Sequence, residues 1–518
     1  MIQISTKHRA LLIPDTPQFQ SLWPEAPLLE GNRLIRHDLH NYVLLSRLGH
    51  KVPNPLLDYY DWPHPPDEPP FQAQRGTFNL LTSNTRGYVL NDLGTGKTRS
   101  AIWAWDALNK HGVANKLLVV CNVSTMEFTW KSELFSIVPN RKAVVLHGTK
   151  AKRLERLSED ADVYIINHDG LRVIFDELMV RNDIDTLIID ELATYRNNTS
   201  RTKMMAKFAP KFQWAWGLTG RPMPRAPTDV WSQCRVLTPH SVPKRFTVAR
   251  EMLMTRWDTW TWKPRPDAKE RAFGMMQPSV RYTLDDVIEL PDAVTHLVNL
   301  PLPSHIQKVY DGLAKSLTAM VASHQITAVN AAVAMGKLLQ ISCGWVYSSD
   351  STTVNLNNQI RLDWLLDTLE EAEHKVICFV PYRHAVEGLY KEFESRPDEY
   401  PHDSFAMVHG DVKPSQRNNI FTRFQSDDRL RVLLAHPVCM AHGLTLTAAD
   451  TIIWYCPPTS LEVYEQANAR IRRIGQKHRQ QFYLMQGTPV EKKIYKLLRT
   501  NQLAQDALLA MFADATQD

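Results

Sequence analysis

Asn91-Asp92-Leu93-Gly94-Thr95-Gly96-Lys97-Thr98 is the stretch on which the fold turns. The apolar trio Tyr88-Val89-Leu90 leads into it, and Ala101-Ile102-Trp103-Ala104-Trp105 follows as the start of a helix. Strand, glycine loop, Lys-Thr and helix in that order form a phosphate-binding loop. Gly94, Thr95 and Gly96 let backbone N–H groups close around phosphate oxygens, Lys97 supplies a cation and Thr98 holds Mg²⁺. The full G-x-x-x-x-G-K-[ST] pattern has Gly at its first position, where this chain has Asn91. The bland alternative is a glycine-rich turn before an ordinary helix, and the strand–loop–helix context argues against it.

Downstream, Leu117 to Cys121, Ala143 to Leu146, Val163 to Ile166 and Leu187 to Ile189 are short, largely apolar runs. Strands buried on both faces of a parallel sheet have this composition. Asp190-Glu191 close the last run, at the end of the strand where open α/β sheets bind ligands. A nucleotide hydrolase needs such a pair: one carboxylate holds Mg²⁺ and the next polarises the attacking water. Acidic pairs ending strands are common, so the assignment rests on the loop at 94–98 sharing the sheet edge.

The second distinctive run is Gln466-Ala467-Asn468-Ala469-Arg470-Ile471-Arg472-Arg473-Ile474-Gly475-Gln476. Arg470 and Arg473 are three apart, on one face if the run is a helix. Arginines presented from another lobe neutralise charge developing on a γ-phosphate, an effect of about 10³–10⁵ in rate. A solvated basic helix end is the alternative; the absence of any acid from 466 to 479 favours a phosphate-facing role.

A chain of 518 residues implies more than one core. Hydrophobic content of 44% and charged content of 22% belong to a globular protein rather than a disordered one. Sixty basic against 55 acidic residues leave only +5, a slight pointer to nucleic acid. The six cysteines are scattered without a C-x-x-C pair, which disfavours a zinc ribbon or disulfide framework and fits a reducing compartment. No run approaches the ~18 consecutive apolar residues of a membrane span. Isolated histidines such as His436 and His442 lack paired ligand spacing, so no metal is assigned to histidine.

Residues 1–70 read as a small N-terminal module followed by an extended connector, because prolines at 53, 55, 63, 65, 66, 69 and 70 oppose regular helix. A rigid spacer is the preferred role for the connector, with a protein partner for residues 1–70 left open. Trp257, Trp260 and Trp262 are expected to pack within a helical protrusion starting near 241, although base stacking would also use them. Helical spacing through Ile306, Val309 and Leu313 follows, and a second α/β series starts near 361.

These motifs together resemble the Swi/Snf-type ATPases of helicase superfamily 2, from about Phe71 to about Lys496 and in that family's motif order. Gln74 sits at the place of the adenine-side glutamine, and the family's phosphate loop often lacks Gly at its first position. Val119 to Asn122 with Ser124 and Trp130 looks like motif Ia, Ile165 to His168 like Ib, and Asp190-Glu191 opens motif II. Leu218-Thr219-Gly220-Arg221-Pro222 is similar to motif III and Val376 to Val380 to the strand of motif IV. His409-Gly410 with Arg417 and Phe424-Gln425 resembles the next block, and Gly443 to Thr447 with Ala449-Asp450 resembles motif V. Gln466 to Gln476 is motif VI, the most specific match. Three positions depart from the pattern: Ala193 replaces the usual His of motif II, Arg221 a Thr of motif III, and Ala469 an Asp of motif VI.

The resemblance implies two RecA-like lobes, each a parallel sheet flanked by helices, with a small N-terminal module and a helical insertion. It implies lobe 1 at 71–285 and lobe 2 at 286–518, with ATP and Mg²⁺ in the cleft and duplex DNA across both. Lys97, Asp190, Glu191, Gln466, Arg470 and Arg473 would carry catalysis. Gln74, Gly94 to Thr98 and Gly443 would hold the nucleotide, with Thr98 and Asp190 on the metal. Ser124, Thr219, Arg221, His409 and Thr445 would touch the DNA backbone. The expected protein is a monomeric, sequence-independent duplex translocase of the compact bacterial or bacteriophage kind. It would work in the bacterial cytoplasm, or in the host's if viral. A strand-separating helicase uses the same motor plus a wedge. A small-molecule kinase would leave the second lobe and the 466–476 run without purpose, and a nucleotide-gated binder would not need the hydrolytic residues.

Overall fold

Successive side chains of a strand point to opposite faces of its sheet, and the strands of the first unit use both faces. In Lys116–Cys121, Leu117, Val119 and Cys121 enter one apolar core, while Leu118 and Val120 enter the other. A strand that must feed two cores has no room for polar residues, hence the continuous apolar runs. The computed structural model describes residues 2–5, 8–66, 68–258, 261–287, 291–322, 328–347, 352–440, 445–473 and 475–500. Gly443, Trp260 and Ile474 therefore lie outside the described residues. The chain divides into two units, Met1–Val287 and Ile288–Asp518.

The sheet of the first unit has seven strands in the order Ser279–Val280, Arg86–Val89, Trp214–Leu218, Ile184–Asp190, Lys116–Cys121, Val163–Asn167 and Ala143–Leu146. All its pairings are parallel. Leu218 pairs with Val89 on one side and Asp190 on the other, so the strand leading to the phosphate loop and the acidic strand end at the same level. The helix Lys97–Lys110 packs on one face, and Ser200–Phe208 and Asp229–Leu237 pack on the other. This is a RecA-like α/β/α lobe.

The N-terminal residues belong to the same core. Gln3–Ser5, Ala10–Pro14, Asn32–Arg36 and Leu28–Leu29 form an antiparallel sheet in that order. Leu11, Ile13, Leu45, Leu56, Tyr60 and Trp62 join Phe78, Trp103 and Val119 in one apolar cluster. The extended spacer expected for the proline-rich stretch is corrected here. Pro55–Tyr59 is a short helix, because Pro55 sits in its first turn and the Asn54 side chain accepts the Leu56 N–H at 3.0 Å. Trp62 then packs 4.5 Å from Phe78 and 5.4 Å from Trp103. The prolines set the backbone direction while the aromatics dock it.

Between 246 and 280 the chain forms a helix (Phe246–Leu253), a two-stranded hairpin (Met254–Arg256 with Trp262–Pro264), a second helix (Ala268–Met275) and the edge strand Ser279–Val280. The expected protrusion is thus only partly helical.

The second unit carries its own parallel sheet, in the order Ala293–Asn299, Gln480–Gln486, Ala449–Trp454, Lys375–Phe379, Val432–Ala435 and Phe405–Val408. It begins with an edge strand at 293, earlier than the series expected from 361. Ser304–Ala322 is the helix expected from the spacing of Ile306, Val309 and Leu313. Arg361 and Glu491, both wholly buried, bind through both guanidinium nitrogens at 2.8 and 3.1 Å, and Arg361 also donates to the Tyr455 carbonyl at 2.7 Å. Gly487 N–H and the Thr488 N–H and hydroxyl complete the Glu491 carboxylate, so the buried acid is fully hydrogen-bonded. No helix among the described residues is long and apolar enough to cross a membrane.

Candidate functional site

Gly94 and Gly96 adopt φ of +84° and +73°, left-handed values that let the loop turn back before the helix Lys97–Lys110. The N-terminus of that helix follows the loop directly, an arrangement that favours an anion. Gln74 is buried and its Oε1 accepts the Phe71 N–H at 3.2 Å; a Cβ at Gly96 would overlap its amide nitrogen. The glutamine singled out in the sequence therefore rests directly on the phosphate loop. Lys97 Nζ donates to the carbonyls of Asn91 and Asp92 at 2.9 and 2.7 Å.

Asn91 shows why this chain has no glycine at the first loop position. Its side-chain nitrogen donates to Thr77 Oγ1 at 2.8 Å, and its oxygen accepts the Tyr282 N–H at 3.0 Å. Asp92 N–H returns a bond to the Tyr282 carbonyl at 2.9 Å. The Tyr282 hydroxyl lies where a Cβ on Gly76 would stand. Asn91 thus ties the loop to the helix Gln72–Ser83 on one side and to the segment after the edge strand on the other. No periodic signal marks Thr77 or Tyr282, and sequence reading missed both.

The loop's helix is anchored a second time. Buried Asp106 accepts from the Tyr60 hydroxyl at 2.8 Å and lies 2.7 Å from Arg141 and 3.1 Å from Lys110. Burial, then the Asp106 charge, pushes the Tyr60 phenol far above its ordinary pKa, so it stays a donor. Arg99, next to Thr98, pairs with Glu68 at 2.6 Å and with Glu133. The N-terminal residues therefore help to position the phosphate-loop helix.

On the adjacent strand, Asp190 Oδ2 accepts the Trp130 indole N–H at 2.9 Å, and Oδ1 accepts the Glu191 N–H at 3.1 Å. Desolvation raises the Asp190 pKa, while the Trp130 bond and the Lys97 charge oppose the rise. Glu191 takes φ of +53°, a left-handed backbone that turns the chain out of the strand. Trp130 was read as a motif residue, not as a partner of the acid. Thr219, after the intervening strand, donates its N–H to the Val89 carbonyl at 3.0 Å. Its buried hydroxyl accepts the Arg221 N–H at 3.2 Å. Ser124 is exposed in the turn that follows Lys116–Cys121. Lys97, Thr98, Asp190, Glu191, Ser124, Thr219 and Arg221 all follow the C-terminal ends of strands in this one sheet.

In the second unit the run 466–476 is not one helix, so the condition for Arg470 and Arg473 sharing a helical face is not met. Leu461–Asn468 is helical and stops there, because Arg470 N–H bonds the Ala467 carbonyl at 3.1 Å and tightens the chain into turns. Gln476 secures those turns by donating to the carbonyls of Ile471 and Ala449 at 3.2 and 2.8 Å. Arg470 is buried and its Nε donates to the Gln466 carbonyl at 2.8 Å, whereas Arg473 reaches Thr445 Oγ1 at 3.1 Å. Gln466 Nε2 donates to Glu462 at 3.4 Å. His409 directly follows Phe405–Val408; its Nδ1 accepts the Asp411 N–H at 3.4 Å, and its carbonyl accepts from Arg417 at 3.3 Å. His409 is thus placed at a strand end of the second sheet, as Ser124 and Thr219 are in the first, while Thr445 is held by Arg473.

A phosphate loop with a strand-end acidic pair, on one of two RecA-like lobes, defines a helicase-type P-loop ATPase. A family model described as the SNF2-related domain matches residues 71–343, more than half the chain, and one described as the helicase conserved C-terminal domain matches 360–475. The chain belongs to the SNF2-related family of ATP-hydrolysing enzymes. Putative protein p41 of Acyrthosiphon pisum secondary endosymbiont phage 1 is 24% identical over 428 residues, 78% of this chain and 88% of that protein. An uncharacterized ATP-dependent helicase of Mycoplasma pneumoniae is 24% identical over 482 residues, 90% of this chain but 43% of that protein, so the chain spans less than half its length. The Sulfolobus solfataricus SWI2/SNF2 ATPase core, solved in complex with dsDNA, aligns at 19% identity over 85% of this chain and 92% of that one, with a TM-score of 0.39.

Proposed function

We propose that this ATPase is stimulated by DNA and couples hydrolysis to translocation along duplex DNA, remodelling DNA or protein–DNA complexes as it moves. The observation that carries the reading is the common sheet edge: the strand leading to Lys97 and the strand ending in Asp190 flank the strand that is followed by Thr219 and Arg221. In this reading 1–70 is an accessory module, 71–285 the first lobe and 286–518 the second.

Gly94 to Gly96 and the first turn of the helix would bind phosphates, Lys97 would exchange its loop carbonyls for phosphate oxygens, and Gln74 would meet the adenine. Thr98 and Asp190 present hard oxygen donors next to that position, the donor set that suits Mg²⁺. A metal held there by Thr98 and Asp190 would supply Lewis-acid stabilisation of charge developing on the phosphates. Glu191 would orient the attacking water. Arg470 and Arg473, steadied by Gln466 and Thr445, would supply positive charge from the second lobe, so that turnover needs lobe closure. Ser124, Thr219, Arg221, His409 and Thr445 would hold the DNA backbone by N–H groups, hydroxyls and cations. That chemistry gives little sequence preference and a steep salt dependence. A single chain has all the parts named, which supports a monomeric motor acting in a bacterial or infected-cell cytoplasm.

The test is ATP hydrolysis with no polymer, single-stranded DNA, duplex DNA and RNA, with Lys97→Ala as the inactive control. Strongest stimulation by duplex DNA is expected, and no stimulation by any polymer sinks the proposal. Displacement of the third strand of a triplex then reports translocation, whereas fork unwinding reports strand separation.

A further inference from the structure

The chain's small positive balance is not evenly spread. Between residues 244 and 271 there are eight Lys or Arg against four Asp or Glu, a net +4 in a chain whose total is +5. This segment contains the hairpin strands Met254–Arg256 and Trp262–Pro264, and its two faces differ. Thr255 pairs with Lys263 and Arg256 with Trp262, so alternate positions place Trp262 on one face and Lys263 with Trp257 on the other. Trp262 is half-buried, with the Arg250 guanidinium 4.2 Å from its ring centre, and packs against the core of the unit. It is the hairpin's anchor. Trp257 is 69% exposed, and the Lys263 ammonium stands 3.5 Å from its ring centre. The packing expected for Trp257 is therefore corrected: of the two described tryptophans, Trp262 is packed and Trp257 is open.

An indole left this open gains nothing for the fold, since burial is what makes a large aromatic stabilising. A bare aromatic face beside a lysine, in a net-basic stretch of the chain, matches a stacking platform for bases with cations for the flanking phosphates. We infer that Trp257 and Lys263 form a second DNA contact, in which an unpaired base stacks on the indole while Lys263 and Arg265 meet the adjoining phosphates. The face thus takes single-stranded DNA or the junction of a fork, which blunt duplex cannot offer. This rests on the reading of the protein as a DNA-dependent motor, and it supplies the wedge that strand separation requires.

The experiment is binding of the full-length protein, by fluorescence anisotropy, to labelled oligo-dT, a fork with single-stranded arms and a blunt duplex. Trp257→Ala should weaken oligo-dT and fork binding about tenfold, the loss of one base–aromatic stack, and leave blunt-duplex binding and duplex-stimulated ATPase unchanged. Trp257→Phe keeps a ring and should stay within about twofold of wild type. Lys263→Gln should lower the salt slope by about one. Equal affinity for Trp257→Ala, or the same loss on all three DNAs, overturns the inference. So does a wild-type dimer that Trp257→Ala dissociates without changing DNA binding, which would assign the face to a second copy of the chain. Absence of DNA-stimulated ATPase in wild type is a separate result, counting against the motor function while the oligo-dT arm still reads the hairpin.

Discussion

The phosphate loop of the first unit and the arginine turn of the second are both short irregular segments that serve one sheet, yet they are held differently. Asn91 in the loop bonds residues 14 and 191 positions away. The turn is secured by bonds spanning 4 and 5 positions and by three that reach back to one segment, Leu446, Ala449 and Thr445. A loop tied to distant segments takes its shape only when the whole lobe has folded. A turn tied to itself and to the single segment 445–449 takes its shape from its own spacing and that one neighbour. The loop should therefore be sensitive to substitutions far from the phosphates, and the turn to those within it.

Arg473→Ala is the hardest test of the local half. Turnover should fall by about 10³–10⁵, or about 4–7 kcal/mol at 1.36 kcal/mol per decade, with ATP affinity and melting temperature nearly unchanged. A collapse of the melting temperature would show the arginine to be structural. The buried Arg361–Glu491 pair, which spans 130 positions, shows that the second unit also uses long-range ties away from the turn. Burial opposes the Arg361 charge, but the Glu491 charge and hydrogen bonds more than offset it and raise its pKa. Arg361→Ala, which strands a carboxylate in the core, should cost about 3–5 kcal/mol in urea unfolding. A loss below about 1 kcal/mol, the value of an exposed pair, would mean that water reaches the pair.

Asn91→Gly restores the common motif residue and so asks whether the long-range tie matters. It leaves the Tyr282 N–H and Thr77 hydroxyl without their Asn91 partner, at about 1–3 kcal/mol, and should weaken ATP binding. Tighter ATP binding by the glycine variant would refute the account of Asn91. Tyr60→Phe removes one donor from Asp106 and should cost about 1.5 kcal/mol, with a smaller fall in turnover, measured by thermal melts and ATPase assays side by side. The smallest effect concerns pH. Because the Asp190 pKa is raised above its ordinary 3.8, the folded chain binds that proton more tightly than the unfolded one. Without divalent cation, its contribution to stability therefore declines as pH rises from about 3.8 towards the folded value. Asp190→Asn should flatten that decline in urea melts across the same range; an unchanged slope would assign the titration to another group.

Legibility follows the same division. Central strands such as Lys116–Cys121 and Lys375–Phe379 stood out because both faces are buried. The edge strand Ala293–Asn299 alternates exposed with half-buried residues, and Gln480–Gln486 is framed by glutamines, so neither shows a continuous apolar run. The proline-rich stretch misled for a related reason: proline opposes helix interiors but not a first turn, and docking of Tyr60 and Trp62 decided the outcome.

The sequence by itself determined the chemistry at each position: glycines and Lys97 for phosphate, Asp190 and Glu191 at a strand end, and arginines at fixed spacing in 466–476. These are local properties, since strand, loop and turn depend on neighbouring residues. Only tertiary structure decided why Asn91 replaces glycine, why Gly96 must lack a side chain beside Gln74, and why Trp262 is packed while Trp257 is open. Each depends on which distant surface arrives next to the residue, and contacts between residues far apart in the chain leave no periodic trace in it.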